Sequence, residues 1–345
     1  MAPIGIAILG AGIFVREEHM PAVEACKDFE LKAVYSRSKK SVESVLEGSS
    51  GIDIYSDDSG AGKDLDTLLA RADIKAVIIA LPILVQPEII KKALLAGKHV
   101  LSEKPIAPDI AAARELIKWR QSNISPSINW SVAENVRFCE AWRFGRRTIL
   151  TLGRILNFSV DVSCLVAPGG KWYETEWRKT PSHQGGFLLD GGVHHTAGIM
   201  LLLGDEDPIE KVAAFSAQVQ SHLPPVDTVN AALRTKGGVT GWLAMSYGTT
   251  FDKFEFSVAC EGGVVVVTRG KVFVTRVGKP VEEELFPNDK AGVVQEVEGF
   301  AQALIKGEAD QRQTPELALK DLEMLEKLLV SGQQDGATLN ITGGL

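Results

Sequence analysis

Three short stretches carry side chains able to move a proton or hold a charge. "GGFLLDGGVHH" (185–195) sets Asp190 four residues ahead of His194, with His195 beside it. "SEKP" (102–105) brings Glu103 and Lys104 together, and "GAGIF" (10–14) places Gly10 and Gly12 in Gly-x-Gly spacing ahead of Ile13 and Phe14. Residues four apart share a helix face, so Asp190 and His194 can serve one ligand as metal donors or as an acid–base pair, or they can form a packed turn. Metal binding is disfavoured, because His-x-x-x-His is absent and no third ligand lies nearby. A serine nucleophile is unsupported, since no Gly-x-Ser-x-Gly turn occurs. An imidazole that accepts a proton with a carboxylate beside it suits alcohol oxidation or carbonyl reduction, where such help is worth roughly 10²–10⁴-fold. A lysine near the reacting oxygen stabilises negative charge developing there, although an isolated "EKP" also fits a surface Glu–Lys pair.

These residues need elements to aim them. Over the first 125 or so residues, short apolar runs at 4–10, 31–36, 76–81 and 99–103 alternate with helical patterns at 16–27, 39–48, 64–71, 86–96 and 109–121. Parallel strands need crossover helices and are buried on both faces, so this pattern predicts a doubly wound α/β Rossmann sheet. Ligands of such sheets bind beyond the carboxyl ends of the strands, where Lys104 would lie. From about residue 155, strand-like runs such as "RILNFSVDVS", "VNAALRT", "VTGWLAMSYG" and "VVVVTRG" follow one another with glycine turns between. They predict an α+β domain with a large, mostly antiparallel, open-faced sheet. Helices are expected near 291–306 and 315–331, the second with Thr314 as N-cap and Pro315 at its first position. The expected domains are 1–127 and 128–345, and the C-terminal helix of the second could pack back on the first.

At the nucleotide end, Gly10 permits the tight turn and Gly12 lets a pyrophosphate approach the backbone. Val15 stands where that fingerprint has glycine or alanine. The second strand runs into Ser36-Arg37-Ser38, about 25 residues past Gly12, with no carboxylate for the ribose hydroxyls. A guanidinium flanked by two hydroxyls suits a 2′-phosphate, which points to NADP(H) over NAD(H). The alternative is a solvated helix start capped by Ser38. Ile13, Phe14, Leu81, Pro82, Glu103 and Lys104 should border the cofactor. Gly185 and Gly186 let the chain pass close to a ligand or to another backbone. Trp177 and Arg178 could lid the cofactor or simply pack. Glu134, Asn135 and Arg137 follow a strand ending near the crevice, where substrate contacts and an interdomain hydrogen-bond cluster are both open. His19 and His99 read as structural.

A net charge of −7 argues against a nucleic-acid partner, because no broad basic face is available. Cys26, Cys139, Cys164 and Cys260 are widely spaced, as buried thiols of a reducing compartment would be. The N-terminal run lacks a signal-peptide pattern and no apolar stretch reaches membrane length, so a cytoplasmic location without membrane partners is expected.

Gly-x-Gly, "SEKP" and "GGFLLDGGVHH" in this order resemble the Gfo/Idh/MocA family, that of glucose–fructose oxidoreductase and inositol dehydrogenase. "VAEN" (132–135) and "EWRKTPSHQGGF" (176–187) look closest to a fungal subgroup of NADPH-dependent oxidoreductases. The resemblance implies a Rossmann domain joined to a sheet domain that supplies substrate contacts and oligomer interfaces. By motif, it makes Lys104 the catalytic lysine, Asp190 the substrate-positioning aspartate and His194 the proton-transferring histidine. Arg37 matches the position that often meets the 2′-phosphate, and His195 could share the role of His194. Ala197 replaces the aspartate common three residues past the histidine, and Leu81 and Gln86 replace a polar residue and a histidine. The function so implied is hydride transfer between nicotinamide C4 and the hydroxyl or carbonyl carbon of a small carbonyl compound or sugar-like polyol. A homodimer or homotetramer through the open sheet face is expected. Two rivals remain: a dinucleotide-binding sensor or regulator without catalysis, and a glycoside hydrolase using tightly held NAD.

Overall fold

A computed structural model describes residues 2–289 and 291–344. The chain divides into two compact units: one runs to Asn135 and takes in Val293–Ala318, and the other holds Val136–Gly292 and the residues from Leu319 onward.

In the first unit the elements follow as β1 (Ile4–Leu9), α1 (Met20–Ala25), β2 (Phe29–Ser36), α2 (Lys39–Val45), β3 (Asp53–Ser56), α3 (Leu65–Leu69), β4 (Ala76–Ile79), α4 (Gln86–Leu95), β5 (His99–Glu103), α5 (Ile110–Asn123) and β6 (Trp130–Ala133). The six strands pair in parallel in the order β3-β2-β1-β4-β5-β6, the doubly wound arrangement that the alternating pattern predicts. Every residue of β4 and β6 is buried, as strands covered on both faces must be. β3 is an edge strand of four residues, too short to stand out from its polar surroundings.

The helix expected at 16–27 differs from that reading. An i→i+5 turn spans Val15–His19, with the Met20 N–H donating to the Val15 carbonyl, and only then does α1 begin. This wider turn starts at the position where the fingerprint has a smaller residue, and it takes in Val15 at 1% exposure.

The second unit begins with α6 (Glu140–Ile149), β7 (Ile155–Leu165), α7 (Glu176–Lys179) and α8 (Phe187–Leu203). There follow β8 (Ile209–Ala217), β9 (Thr228–Thr235), β10 (Thr240–Ser246), β11 (Gly248–Cys260), β12 (Gly263–Thr268), β13 (Lys271–Arg276) and β14 (Val281–Leu285). The C-terminal elements are α9 (Val293–Lys306), α10 (Pro315–Gln333) and β15 (Leu339–Asn340). α9 belongs to the first unit, where it packs on α1 and sets Phe300 against Phe29.

The second sheet has nine strands, β14-β13-β12-β11-β7-β10-β9-β8-β15, antiparallel except where β10 runs parallel to β7. Its buried face carries Phe158, Val160, Leu243, Met245, Phe256, Val258, Val265 and Val267 beneath α6 and α8, each burial worth about 1.5–3 kcal/mol. The opposite face is open. β9 alternates strictly, exposing Asn230, Ala232 and Arg234, with Trp242 of β10 and Phe215 of β8 also exposed.

α6 is an element the sequence reading did not contain. Its buried residues Ala141, Trp142, Gly145, Thr148 and Ile149 fall at helical spacing. Its start has no local cap, since Cys139 makes no capping bond; the Glu140 and Ala141 N–H groups donate instead to Asp289 at 2.6 and 2.7 Å. All four cysteines are free thiols, three buried and Cys164 partly exposed. Among the described residues, no helix is long and apolar enough to cross a membrane.

Candidate active site

The carboxyl edge of the first sheet collects most of the residues assigned to the cofactor. Leu9 pairs with both Tyr35 and Ile79, Ile79 with Ser102, and Glu103 with Ala133. Register therefore brings Gly10, Ser36, Leu81, Pro82, Glu103, Lys104, Glu134 and Asn135 to successive strand ends. β1 stops at Gly10 (φ +135°), where an added Cβ would stand 2.2 Å from the Ala80 carbonyl oxygen. Only glycine fits there. Apart from its chain neighbours, a Cβ at Gly12 would meet nothing within 4 Å, so the space beside this turn is open. Packing does not require that glycine, whereas a pyrophosphate approaching the chain would. The residues present thus fit a dinucleotide. Ile13 and Phe14 follow half-buried.

At the end of β2, Arg37 is exposed and Ser36 and Ser38 are half-buried. Ser38 sits at the N-cap of α2 without capping it. The Lys39 N–H donates to Asp58 Oδ1 (2.7 Å), which also accepts from Ser56 Oγ (2.6 Å). These bonds lower the Asp58 carboxyl below the usual range. Asp57 accepts from Tyr35 (2.7 Å), and burial, then this carboxylate, pushes the Tyr35 phenol up. Sequence reading missed both aspartates, because nothing local ties 57 and 58 to 35 and 39. Gln86, at the start of α4, is 1% exposed.

β5 ends at Glu103, Lys104 follows it, and the Lys104–Pro105 bond is cis. The Glu103 carboxylate meets His19 Nε2 at 2.8 Å and accepts from the Lys104 N–H at 3.2 Å. His99 Nδ1 accepts from the Asn129 N–H at 3.0 Å, and burial lowers its pKa. That is a structural role, as expected of it.

In the second unit, Gly185 and Gly186 have φ of +73° and +49°, and a Cβ at Gly186 would stand 2.3 Å from the Pro224 carbonyl oxygen. The close neighbour of Gly186 is thus another stretch of backbone, while a Cβ at Gly185 would stand 2.7 Å from Leu329 Cδ1. α8 starts immediately after them and carries Asp190 and His194 one turn apart, both half-buried. His195 points elsewhere. It is 8% exposed, lies 3.1 Å from the Tyr247 hydroxyl, and packs against Phe254 and Phe256 at 5.8 and 6.0 Å between ring centroids. Burial, with Asp190 adding to it, raises the Tyr247 phenol well above its ordinary value. Its hydroxyl lies 2.2 Å from where a Cβ of Gly191 would be. No periodicity pointed to Tyr247.

Arg178 Nε donates to Asp190 Oδ2 at 2.7 Å, and the pair is 15% and 13% exposed. The guanidinium stacks over Trp177 (4.1 Å) and Trp172 (5.4 Å) and donates to Thr175 Oγ1 at 3.2 Å. Arg178, assigned to the cofactor by sequence, is here bound to the candidate aspartate. Trp177 stacks on it and also contacts His183, whose imidazole burial keeps towards its neutral form. Arg137 donates to both oxygens of Asp321 at 2.6 Å, in a pair 7% and 1% exposed. Among the described residues, no three His, Cys, Asp or Glu side chains gather as metal ligands.

Comparison with known proteins adds the following. The GFO_IDH_MocA model, an oxidoreductase family with an NAD-binding Rossmann fold, matches residues 4–123, and the model of the family's C-terminal alpha/beta domain matches 149–341. The chain is 44% identical over 345 residues to dehydrogenase FPY6 of Fusarium mangiferae, spanning 97% of this chain and 98% of that one. Its structure is similar to that of an oxidoreductase from Thermotoga maritima, with a TM-score of 0.88 and 26% identity over 99% of this chain and 100% of that chain. It also shares the fold of KijD10, a 3-ketoreductase of Actinomadura kijaniata solved with NADP and TDP-benzene, at a TM-score of 0.79 and 23% identity over 95% of this chain and 98% of that one.

The Arg178–Asp190 pair lends itself to a double-mutant cycle. Arg178→Ala, Asp190→Ala and the double variant, compared by denaturant unfolding, are expected to give a coupling of about 1–2 kcal/mol, since hydrogen bonds to charged groups contribute roughly 1.5–3 kcal/mol. Additive losses would mean that the contact does not hold in solution.

Proposed function

We propose, from the premise that this chain belongs to the Gfo/Idh/MocA oxidoreductase family, that it is a cytosolic NADP(H)-dependent enzyme interconverting a hydroxyl and a carbonyl group on a small carbonyl compound or sugar-like polyol. The observation that carries this reading is Lys104 at the end of β5, on the same sheet edge as the Gly10–Gly12 turn. A lysine there shares the carboxyl edge of its own unit's sheet with the glycine turn, with β4 between them. The nicotinamide, when bound, supplies or takes up the hydride. Lys104 polarises the substrate oxygen and stabilises its developing charge. His194 exchanges the proton, and Asp190, steadied by Arg178, orients substrate or imidazole. His195, turned to Tyr247 and two phenylalanines, supports α8 and leaves proton transfer to His194.

Arg37 is the group proposed to meet a 2′-phosphate. Support comes from its exposure at the β2 end and from a Ser38 hydroxyl not spent on capping. Asp57 and Asp58 close by oppose it, so the preference for NADP(H) is one of degree. The open face of the second sheet, with Trp242 and Phe215 exposed at 45% and 67%, is proposed to pair copies of the chain into a dimer or tetramer.

Absorbance at 340 nm with NADPH and a panel of aldehydes, ketones and sugars tests the activity, and silence across the panel would favour a sensor. Lys104→Ala is expected to keep cofactor binding while losing most turnover; unchanged turnover would count against its role. Arg37→Ala should weaken NADPH more than NADH in a fluorescence titration, and equal losses would overturn the cofactor preference. Light scattering should give a multiple of the chain mass that Trp242→Glu lowers; an unchanged mass would remove the open face from the interface.

A further inference from the structure

His19 looks at first like a core residue, since it is wholly buried in the turn between the glycine motif and α1. A buried imidazole is costly unless its polar atoms are engaged, and of the two ring nitrogens of His19 only Nε2 has a hydrogen-bond partner among the described residues. Its Nε2 lies 2.8 Å from Glu103 Oε1, a carboxylate 84 residues away whose side chain is 12% exposed. An ionised carboxylate only accepts hydrogen bonds, so Nε2 carries the proton between them. The other oxygen of Glu103 accepts from the backbone N–H of Lys104. Both Glu103 oxygens therefore have partners within the protein. The edge of the same imidazole rests against Phe14, with 5.2 Å between ring centroids, in the turn that follows Gly12.

Each contact restricts the next. The carboxylate bound to its neighbour's N–H limits rotation about the backbone between residues 103 and 104, which fixes the direction in which the Lys104 side chain leaves the strand. His19 keeps that carboxylate from swinging away, and Phe14 keeps His19 in place. We propose that His19 is a positioning residue, which aims Lys104 through Glu103 and links its orientation to the dinucleotide turn through Phe14. This rests on the functional reading given above, with Glu103 serving as an orienting group and not as a cofactor ligand.

The test needs a readout of Lys104 that is independent of turnover. In the full-length protein, the modification rate of Lys104 by an amine-reactive reagent, followed by peptide mass spectrometry, reports its exposure and orientation. His19→Leu removes the donor and is expected to change that rate at least about threefold, whereas His19→Gln, which keeps an N–H at similar reach, should stay within about twofold of the parent. Glu103→Ala removes both acceptor oxygens from the more exposed end of the link and should reproduce the His19→Leu change, which keeps the test decisive if His19→Leu fails to fold. With a substrate in hand, kcat should fall about tenfold in His19→Leu while KM and the NADPH dissociation constant move less than threefold, and His19→Gln should restore kcat. Unchanged labelling in both His19→Leu and Glu103→Ala would overturn the proposal, as would a folded His19→Gln as impaired as His19→Leu. Full turnover of Lys104→Ala would instead defeat the functional reading and leave the labelling result standing, so the two failures are distinguishable.

Discussion

Glycines in α8 let its backbone lie directly against side chains of the second unit's core. The Tyr247 hydroxyl comes within 2.2 Å of a Cβ position at Gly191, Met245 Sδ within 2.7 Å at Gly192, and the Trp142 ring within 2.5 Å at Gly198. Each glycine inside a helix sacrifices about 1 kcal/mol of propensity relative to alanine, and here the close approach offsets it. The helix is thereby held at one height and one rotation over the sheet. Asp190 and His194 stay partly exposed while His195 turns inward to Tyr247, Phe254 and Phe256. Two adjacent histidines acquire different environments because successive helical positions are about 100° apart.

Charge control follows a common scheme in both units. Asp190 is held by Arg178 and Glu103 by His19. Away from the candidate pair, Arg137 is tied to Asp321 in a nearly dry environment. A half-buried carboxylate held by hydrogen bonds keeps a fixed direction at modest desolvation cost, which suits a group that must orient another. Arg178 is itself confined by Trp172 and Trp177, so the indoles act on the aspartate at one remove. The segment carrying them has little regular structure beyond the single turn of α7, and its order comes from these contacts.

What could be read from the chain beforehand divides along the range of the forces involved. The apolar runs of β1, β4 and β5, the Thr314 cap beside the helix it serves, and the four-residue spacing of Asp190 and His194 are local facts. They were legible. α6 was not, because its first N–H groups are satisfied by Asp289, 149 positions away. α2 likewise takes its cap from Asp58, and the serine that looked like the cap is not one. β14 escaped notice because "VEEEL" is exposed along its whole length, an edge strand whose acidic side chains hide its pairing with β13.

By itself, then, the amino-acid order determined the alternation that winds a parallel sheet, the glycine that must end β1, and which side chains were chemically able to act. Periodicity and backbone sterics operate between near neighbours, so they are written into the order of residues. The tertiary structure decided who holds whom: His19 with Glu103, Arg178 with Asp190, Tyr247 with His195. Such pairs depend on the distance between groups in space, which sequence separation leaves unspecified until the sheets and helices have closed around them.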